Sequence, residues 1–521
     1  MGARPGEAAA LNGAFDAWIR DQFNRPYTAI NHEEMIARGF VNNTDGKNVV
    51  GRVCTFARWV NEDAQLRFRV AHVLQQIVVC GPSGESGQLD SGLWWNALMR
   101  RAFSTYRDIL MLAVTHRHMG WYLNNRGNDA SRGAAPSVNF SRELLQLFTM
   151  GVVKLNRDGS IVRDSSGAPV RSYHAGDVSA LARLLAGWNI PFGTRVAGRD
   201  GTAADGSMNI DPSLAYDGPA VTFLGTVFPQ VEKPTAATVT SRVSACISLI
   251  MAQQTTAVYI SKQFIQKLVT DSPTPAYISR VTAAFENNGQ GIRGDLKAVV
   301  MAVLLDPEAR GNSKPATFGR AQEWILSLTK GMRYAQMERL QDPGPSTDAF
   351  AWVWTTEYGH PIPDVVGNLG QAPMTPTTVF NDYPFEYQVN GVEAPAAAMW
   401  RAPQILANVS RAMSFTPNLT NPVDSAPNDP FGRWQLTWLI GRYEAAYSAA
   451  GGTEQQKQSA AVAATADLVF ADLNQGRTMT PASRAQVIAF IDTDCAKLAT
   501  REKLGWIVNF VRCLPDSAVV I

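Results

Sequence analysis

Charge of one sign never accumulates in this chain. Lys and Arg number 47 against 45 Asp and Glu, a net charge of +2 over 521 residues, and no five neighbours share a sign. Nucleic-acid binders concentrate basic residues on one face, so nucleic acid is excluded as a partner. Long apolar runs are missing too. The most apolar stretch, LKAVVMAVLLDPEAR, falls well short of the ~18 residues that a membrane span requires. The expectation is a soluble protein without a membrane span. The opening MGARPGEAAALNG has no apolar core and does not read as a signal peptide as written.

Histidine and cysteine are scarce and scattered. The 5 cysteines (Cys54, Cys80, Cys246, Cys495, Cys513) form no CxxC pair, and the odd count leaves at least one thiol unpaired within the monomer. Cys495 and Cys513 fall on consecutive predicted helices. They are either two buried apolar thiols or a pair that closes in an oxidising compartment. His32, His72 and His360 are isolated, and His116 and His118, two apart, point to different sides of a helix. No HExxH or comparable ligand spacing occurs, so no metal site is expected and no cofactor can be named. No GxSxG elbow, P-loop or GxGxxG fingerprint is expected, so standard serine-hydrolase, NTPase and dinucleotide readings drop out.

What is present is helical period. GAFDAWIRDQF places Phe15, Ile19 and Phe23 four apart, and QLRFRVAHVLQQIVV, TYRDILMLAVTHRHMGWYL and GDLKAVVMAVLLDPEAR repeat the signature. TPASRAQVIAFI adds a start signal, Thr480 as N-cap and Pro481 at the first helical position. Strand signals are few. KLNRDGSIVRDSSGAPVRSY reads as a small hairpin excursion with turns at NRDG and DSSG. Asn156, Asp158 and Asp164 there could ligate calcium, but turn chemistry explains the same residues and is preferred. Residues 192–225 form a long Gly- and Asp-rich segment, of the kind that is functional or mobile. A Pro-rich stretch, EYGHPIPDVVGNLGQAPMTPTTVFNDYPFEY, sets the expected boundary near residue 340. The reading is a mainly α, two-lobed protein, with lobes at 1–340 and 341–521, a small hairpin and a long loop.

One stretch carries chemistry. In SVNFSRELLQLFTMGV, a helix over 140–151 aligns Phe140, Leu144, Leu147, Phe148 and Gly151, with Glu143 at the edge of that stripe and Arg142 opposite. A carboxylate at such an edge requires an arginine, a backbone donor or a metal, and Arg183 is the first choice. YHAGDVSALARLLAGW opens a second helix with Asp177 in its first turn. Either these charges are helix-end and interhelical bridges, or two helices converge around a carboxylate/arginine cleft. The 13 Trp add a second theme: of the adjacent Trp94 and Trp95 only one can point squarely into a core, while Trp352 and Trp354 share a face if extended. Core filling, a lobe interface and glycan contact all remain open for them.

SVNFSRELLQLFTMGVVKLNRDG, YHAGDVSALARLLAGW, FLGTVFP, QAPMTPTTVFNDYPFEY and REKLGWIVNFVRCLPDS occur in this order. Together they resemble the motifs of the domain-of-unknown-function 1800 family of bacterial proteins over nearly the whole chain. The resemblance implies no established activity. It implies a secreted, periplasmic or extracellular protein, with a sulfatase-like family, domain-of-unknown-function 1501, as its partner. The chain departs from the family pattern at four polar positions, here Val138, Gly176, Tyr216 and Val221, and His174 stands where a Thr cap is usual. Asn139, Arg142, Glu143, Asp177 and Asp217 remain. The family's first helix, ahead of AWIRDQF, is missing, so the start of the chain says nothing about localisation.

Two functions follow as expectations. The first is an extracytoplasmic binding or structural component that contacts a partner protein, a surface polymer or a glycan. The second is an enzyme acting on a polar polymer, with or without a metal. There Glu143, Asp177 and Arg142 would be catalytic, one carboxylate acting as base and the arginine holding an anionic group. The binding residues expected are Asn139, Tyr173, Arg183, Trp188, Asn381, Tyr383, Trp352 and Trp354.

Overall fold

A computed structural model describes residues 13–27, 64–81, 88–190, 206–270, 272–310, 434–473 and 478–514, with isolated positions and short strands elsewhere. The fold is mainly α. One apolar core is shared by α1 (Phe15–Asn24), α2 (Gln65–Ile77), α3 (Gln88–Arg101), α4 (Tyr106–Thr115), α5 (Arg117–Tyr122) and α6 (Asn139–Gln146). The same core continues through α7 (Ala175–Leu185), α8 (Ala236–Ala252), α9 (Gln254–Leu268), α10 (Pro275–Glu286), α11 (Leu296–Leu304) and the short α12 (Pro307–Arg310). A second core is built by α13 (Trp434–Ala449), α14 (Glu454–Leu473), α15 (Pro481–Thr493) and α16 (Thr500–Cys513). The boundary expected near residue 340 lies outside the described residues. Among the described residues no single helix is long and apolar enough to cross a membrane.

Threonine starts α4, α8, α10 and α15 for a common reason: its hydroxyl accepts from a first-turn amide that has no partner inside the helix. Thr480 caps α15 with Pro481 at the first position, as its sequence indicates, and Thr274 with Pro275 does the same for α10. At α4 the box is reciprocal, with the Thr105 amide donating to Asp108 Oδ2 (3.1 Å) and the Asp108 amide to Thr105 Oγ1 (3.3 Å).

Trp94 and Trp95 correct the sequence reading, for both are buried, at 0% and 1% exposure. Helix α3 has α2, α4 and α5 packed against it, so it buries more than one stripe, and Leu93 to Met99 are all enclosed. Cys495 is a free buried thiol, and the side chain of Cys513 lies outside the described residues.

The strands are short antiparallel pairs. β1 (Trp188–Asn189) pairs with β4 (Asn209–Ile210), and β2 (Arg195–Val196) with β3 (Arg199–Asp200). β5 (Val221–Phe223) pairs with β6 (Thr226–Phe228) across a turn in which Leu224 and Gly225 both have positive φ. The long Gly/Asp-rich segment is therefore stitched at its ends by β1 with β4 and by β5 with β6. The expected hairpin over 153–171 has two turns and three extended runs, with bridges Leu155↔Ile161, Arg163↔Pro169 and Val153↔Arg171. Asp158 Oδ1 accepts from the Ser160 amide (2.9 Å) and Asp164 Oδ1 from those of Ser166 (2.9 Å) and Ala168 (3.0 Å). These are turn contacts; the Ser160 and Ser166 hydroxyls, donating to the same oxygens (2.6 and 2.7 Å), and after them these amides hold both carboxyls below the usual carboxylate range.

Candidate functional site

Helix α6 is shorter than its apolar spacing suggests. It ends at Gln146, and the Phe148 amide reaches back to the Glu143 carbonyl (3.0 Å). Two residues explain the stop. The Thr149 hydroxyl donates to the Leu144 carbonyl (2.6 Å), in competition with the backbone, and Gly151 takes φ +69° against the Tyr259 ring. The stripe itself holds in part: Phe140, Leu144 and Phe148 are buried and Leu147 is half-buried.

Glu143 turns inward and is 9% exposed, whereas Arg142 points out. Its Oε2 is buried without a hydrogen-bond partner. Burial pushes the Glu143 carboxyl up, and Arg142 draws it partly back. Burial raises the Tyr122 and Tyr173 phenols first; Cys80 and then Glu143 add to it at Tyr122, and Glu143 adds to it at Tyr173, which places both phenols near Glu143. The expected Arg183 partner is not there. Arg183 lies two turns along α7, exposed, with its guanidinium 5.5 Å from the Tyr216 ring centre.

Asp177 does something else. Its Oδ2 accepts from the His174 amide (2.9 Å) and its Oδ1 from the Leu224 amide (2.9 Å). The carboxylate thus ties the start of α7 to the β5–β6 turn, where the Leu224 backbone has φ +46°. No hydrogen bond links Asp177 to Glu143, and neither lines the cleft beside them.

That cleft, about 470 Å³, lies between α6, the end of the three-run excursion and the start of α7. Its polar lining is Arg142, Gln146, Arg171, Tyr173, His174 and Ser179, and Val138, Val152 and Val178 supply the apolar part. Every ionisable lining group is therefore basic or phenolic. The charges of Arg142 and Arg171 both act on the Tyr173 phenol and favour its ionised form, although burial outweighs them. Gln146, Arg171 and His174 were not among the expected binding residues. Only the fold, by bringing the excursion back beside α6, puts Arg171 within reach.

The other expected positions scatter. Asn139 sits half-buried in the first turn of α6 and does not line the cleft. Trp188 is buried in the core with its indole N–H unpaired. Asn381, Tyr383, Trp352 and Trp354 lie outside the described residues, as do His32 and His360.

A second polar group was not foreseen. His116 and His118 do not share a helix: His116 N-caps α5, and its Nδ1 accepts from the His118 amide (3.2 Å). Between them Arg117 forms a buried ion pair with Asp90. Burial, with Arg117 adding to it, pushes His118 down to about 3; His116 is driven well below its ordinary value by burial, then by His118 and Arg117. Both imidazoles are thus neutral near pH 7. The cluster pins residues 206–208, through Arg117 N–H to the Gly206 carbonyl (2.9 Å) and Met208 N–H to that of Thr115 (2.8 Å).

GQGIRG, Gly289–Gly294, has the glycine spacing of a dinucleotide fingerprint, which corrects the expectation that no GxGxxG occurs. It joins α10 to α11 with no strand before it, and Asn287 and Asn288 side chains cap its amides, so the phosphate-cradle context is missing. Among the described residues no three His, Cys, Asp or Glu side chains are grouped to hold a metal.

Neither a curated protein nor a solved structure matches this chain. The model of a family described as protein of unknown function (DUF1800) matches residues 1–516. The chain belongs to that family.

Proposed function

We propose that this protein is a binding component, placed outside the cytoplasm, whose cleft beside α6 engages an acidic partner molecule. The observation that carries the reading is the lining: Arg142, Arg171, Tyr173 and His174 without a carboxylate among them. Asp177, the second carboxylate that acid/base chemistry would need, has both oxygens occupied by backbone amides. A surface polymer with acidic groups fits this lining, and a sulfatase-like protein is the partner that the family resemblance suggests.

One observation favours an enzyme instead. A buried carboxylate with an unpartnered oxygen and a raised pKa, as at Glu143, is what a general base looks like. It stands behind the cleft rather than in it, so binding ranks first. Retention of cell-surface polymer fractions on the immobilised chain separates the two. Retention that is lost in Arg142→Gln and kept in Asp177→Asn supports the binding role. Depolymerisation of a retained fraction, abolished by Glu143→Gln, contradicts it.

A further inference from the structure

The cleft gives more than a sign of charge. Arg142 enters it from α6 and Arg171 from the last run of the excursion, and neither has a salt bridge or hydrogen bond from its side chain among the described residues. Two guanidiniums without carboxylates are an arrangement suited to an oxyanion, because each planar fork presents paired N–H donors to two oxygens. The Tyr173 hydroxyl and the His174 ring add polar groups on the same lining.

Size narrows the ligand further. Sites that enclose a small organic molecule run to about 300–1,000 Å³, and this one holds about 470 Å³. A bare inorganic anion would leave most of that volume, and the apolar surfaces of Val138, Val152 and Val178, without contact. A ring carrying the oxyanion would use both, its polar edge toward the arginines and its body against Tyr173 and the valines.

We propose that the cleft binds a sugar-sized ring bearing one oxyanion, a carboxylate or a sulfate ester, with the oxyanion held by Arg142 and Arg171. This rests on the cleft being the binding surface, and it names the chemical class that the surface takes.

Isothermal titration of the full chain tests the proposal, with D-glucuronate and glucose 6-sulfate as probes and glucose and inorganic sulfate as comparators. Both acidic sugars bind saturably, glucose does not, and inorganic sulfate binds at least tenfold more weakly than glucose 6-sulfate. Arg142→Gln and Arg171→Gln each weaken the acidic sugars at least tenfold, Arg142→Lys restores part of the loss, and Arg163→Gln, on an exposed extended run outside the cleft, has no effect. A melting curve for each variant separates lost binding from lost folding. Acidic sugars that fail to bind, or that bind equally to both arginine variants, overturn the proposal. Sulfate alone binding as tightly as the sulfated sugar overturns the ring. Turnover of an acidic sugar, lost in Glu143→Gln, would instead overturn the binding role on which the inference rests.

Discussion

Glu143→Gln should make the protein more stable at neutral pH and leave it unchanged in acid. The side chain is 9% exposed, its Oε2 has no hydrogen-bond partner, and burial raises its pKa. An unfolded glutamate ionises near pH ~4.3. Below that value the carboxyl is neutral in both states, and Glu and Gln behave alike. Above it the unfolded chain releases its proton while the folded chain keeps it, so the wild type loses stability as pH rises, until the folded group ionises as well. The slope across that window is at most about 1.4 kcal/mol per pH unit. For a cooperative unit of about 150–250 residues this is some 3–5 °C in Tm per pH unit. Paired melts of wild type and Glu143→Gln between pH 4 and 8 isolate the effect, because the other titrating groups are common to both. A gap that stays flat with pH, or a wild type that gains on the variant, would mean that Glu143 has a partner in the folded protein, and the reasoning would fail.

Other perturbations follow from the same geometry. Asp177→Ala removes the acceptor for two backbone amides and should cost about 2 kcal/mol in urea unfolding; rapid hydrogen exchange at Leu224 would accompany it, and an unchanged Leu224 amide would count against the tie between α7 and the β5–β6 turn. Trp94→Ala and Trp95→Ala should each cost about 3–5 kcal/mol, since both rings are enclosed; one tolerated substitution would restore the one-sided helix. Gly206 and Gly167 share φ near +84°, at +83° and +85°, but a Cβ at Gly206 would lie 2.4 Å from His116 Nε2 while one at Gly167 meets open space. Gly167→Ala should therefore cost about 1–2 kcal/mol from backbone strain alone, and Gly206→Ala a further ~1–3 kcal/mol from overpacking; equal melting points would refute the His116 contact.

The parts of the fold that were legible in the sequence are those written in local chemistry. The Thr480–Pro481 start, the NRDG and DSSG turns and the buried Phe140/Leu144/Phe148 stripe depend on residues a few positions apart. Where helix α6 stops was less legible, because Thr149 and Gly151 override an apolar spacing that continues past them. Trp94 and Trp95 needed knowledge of how many neighbours surround α3. The candidate site was legible only by halves. Arg142 and Tyr173 stand in recognisable motifs, and both line the cleft. Arg171 carries no such mark, and its place there comes from the pairing of Val153 with Arg171. Asp177 was read correctly as a first-turn acid, but its second bond runs to Leu224, 47 residues away, which no local pattern announces.

The central claim is where an oxyanion sits, and a crystal of the full chain soaked in selenate shows it most directly. Selenate copies the charge and shape of a sulfate group, and its anomalous signal marks its position without reference to any assumed ligand. The account predicts a selenium peak within hydrogen-bonding distance of both the Arg142 and Arg171 guanidiniums, beside Tyr173. A cleft left empty while selenate occupies other basic positions would contradict it.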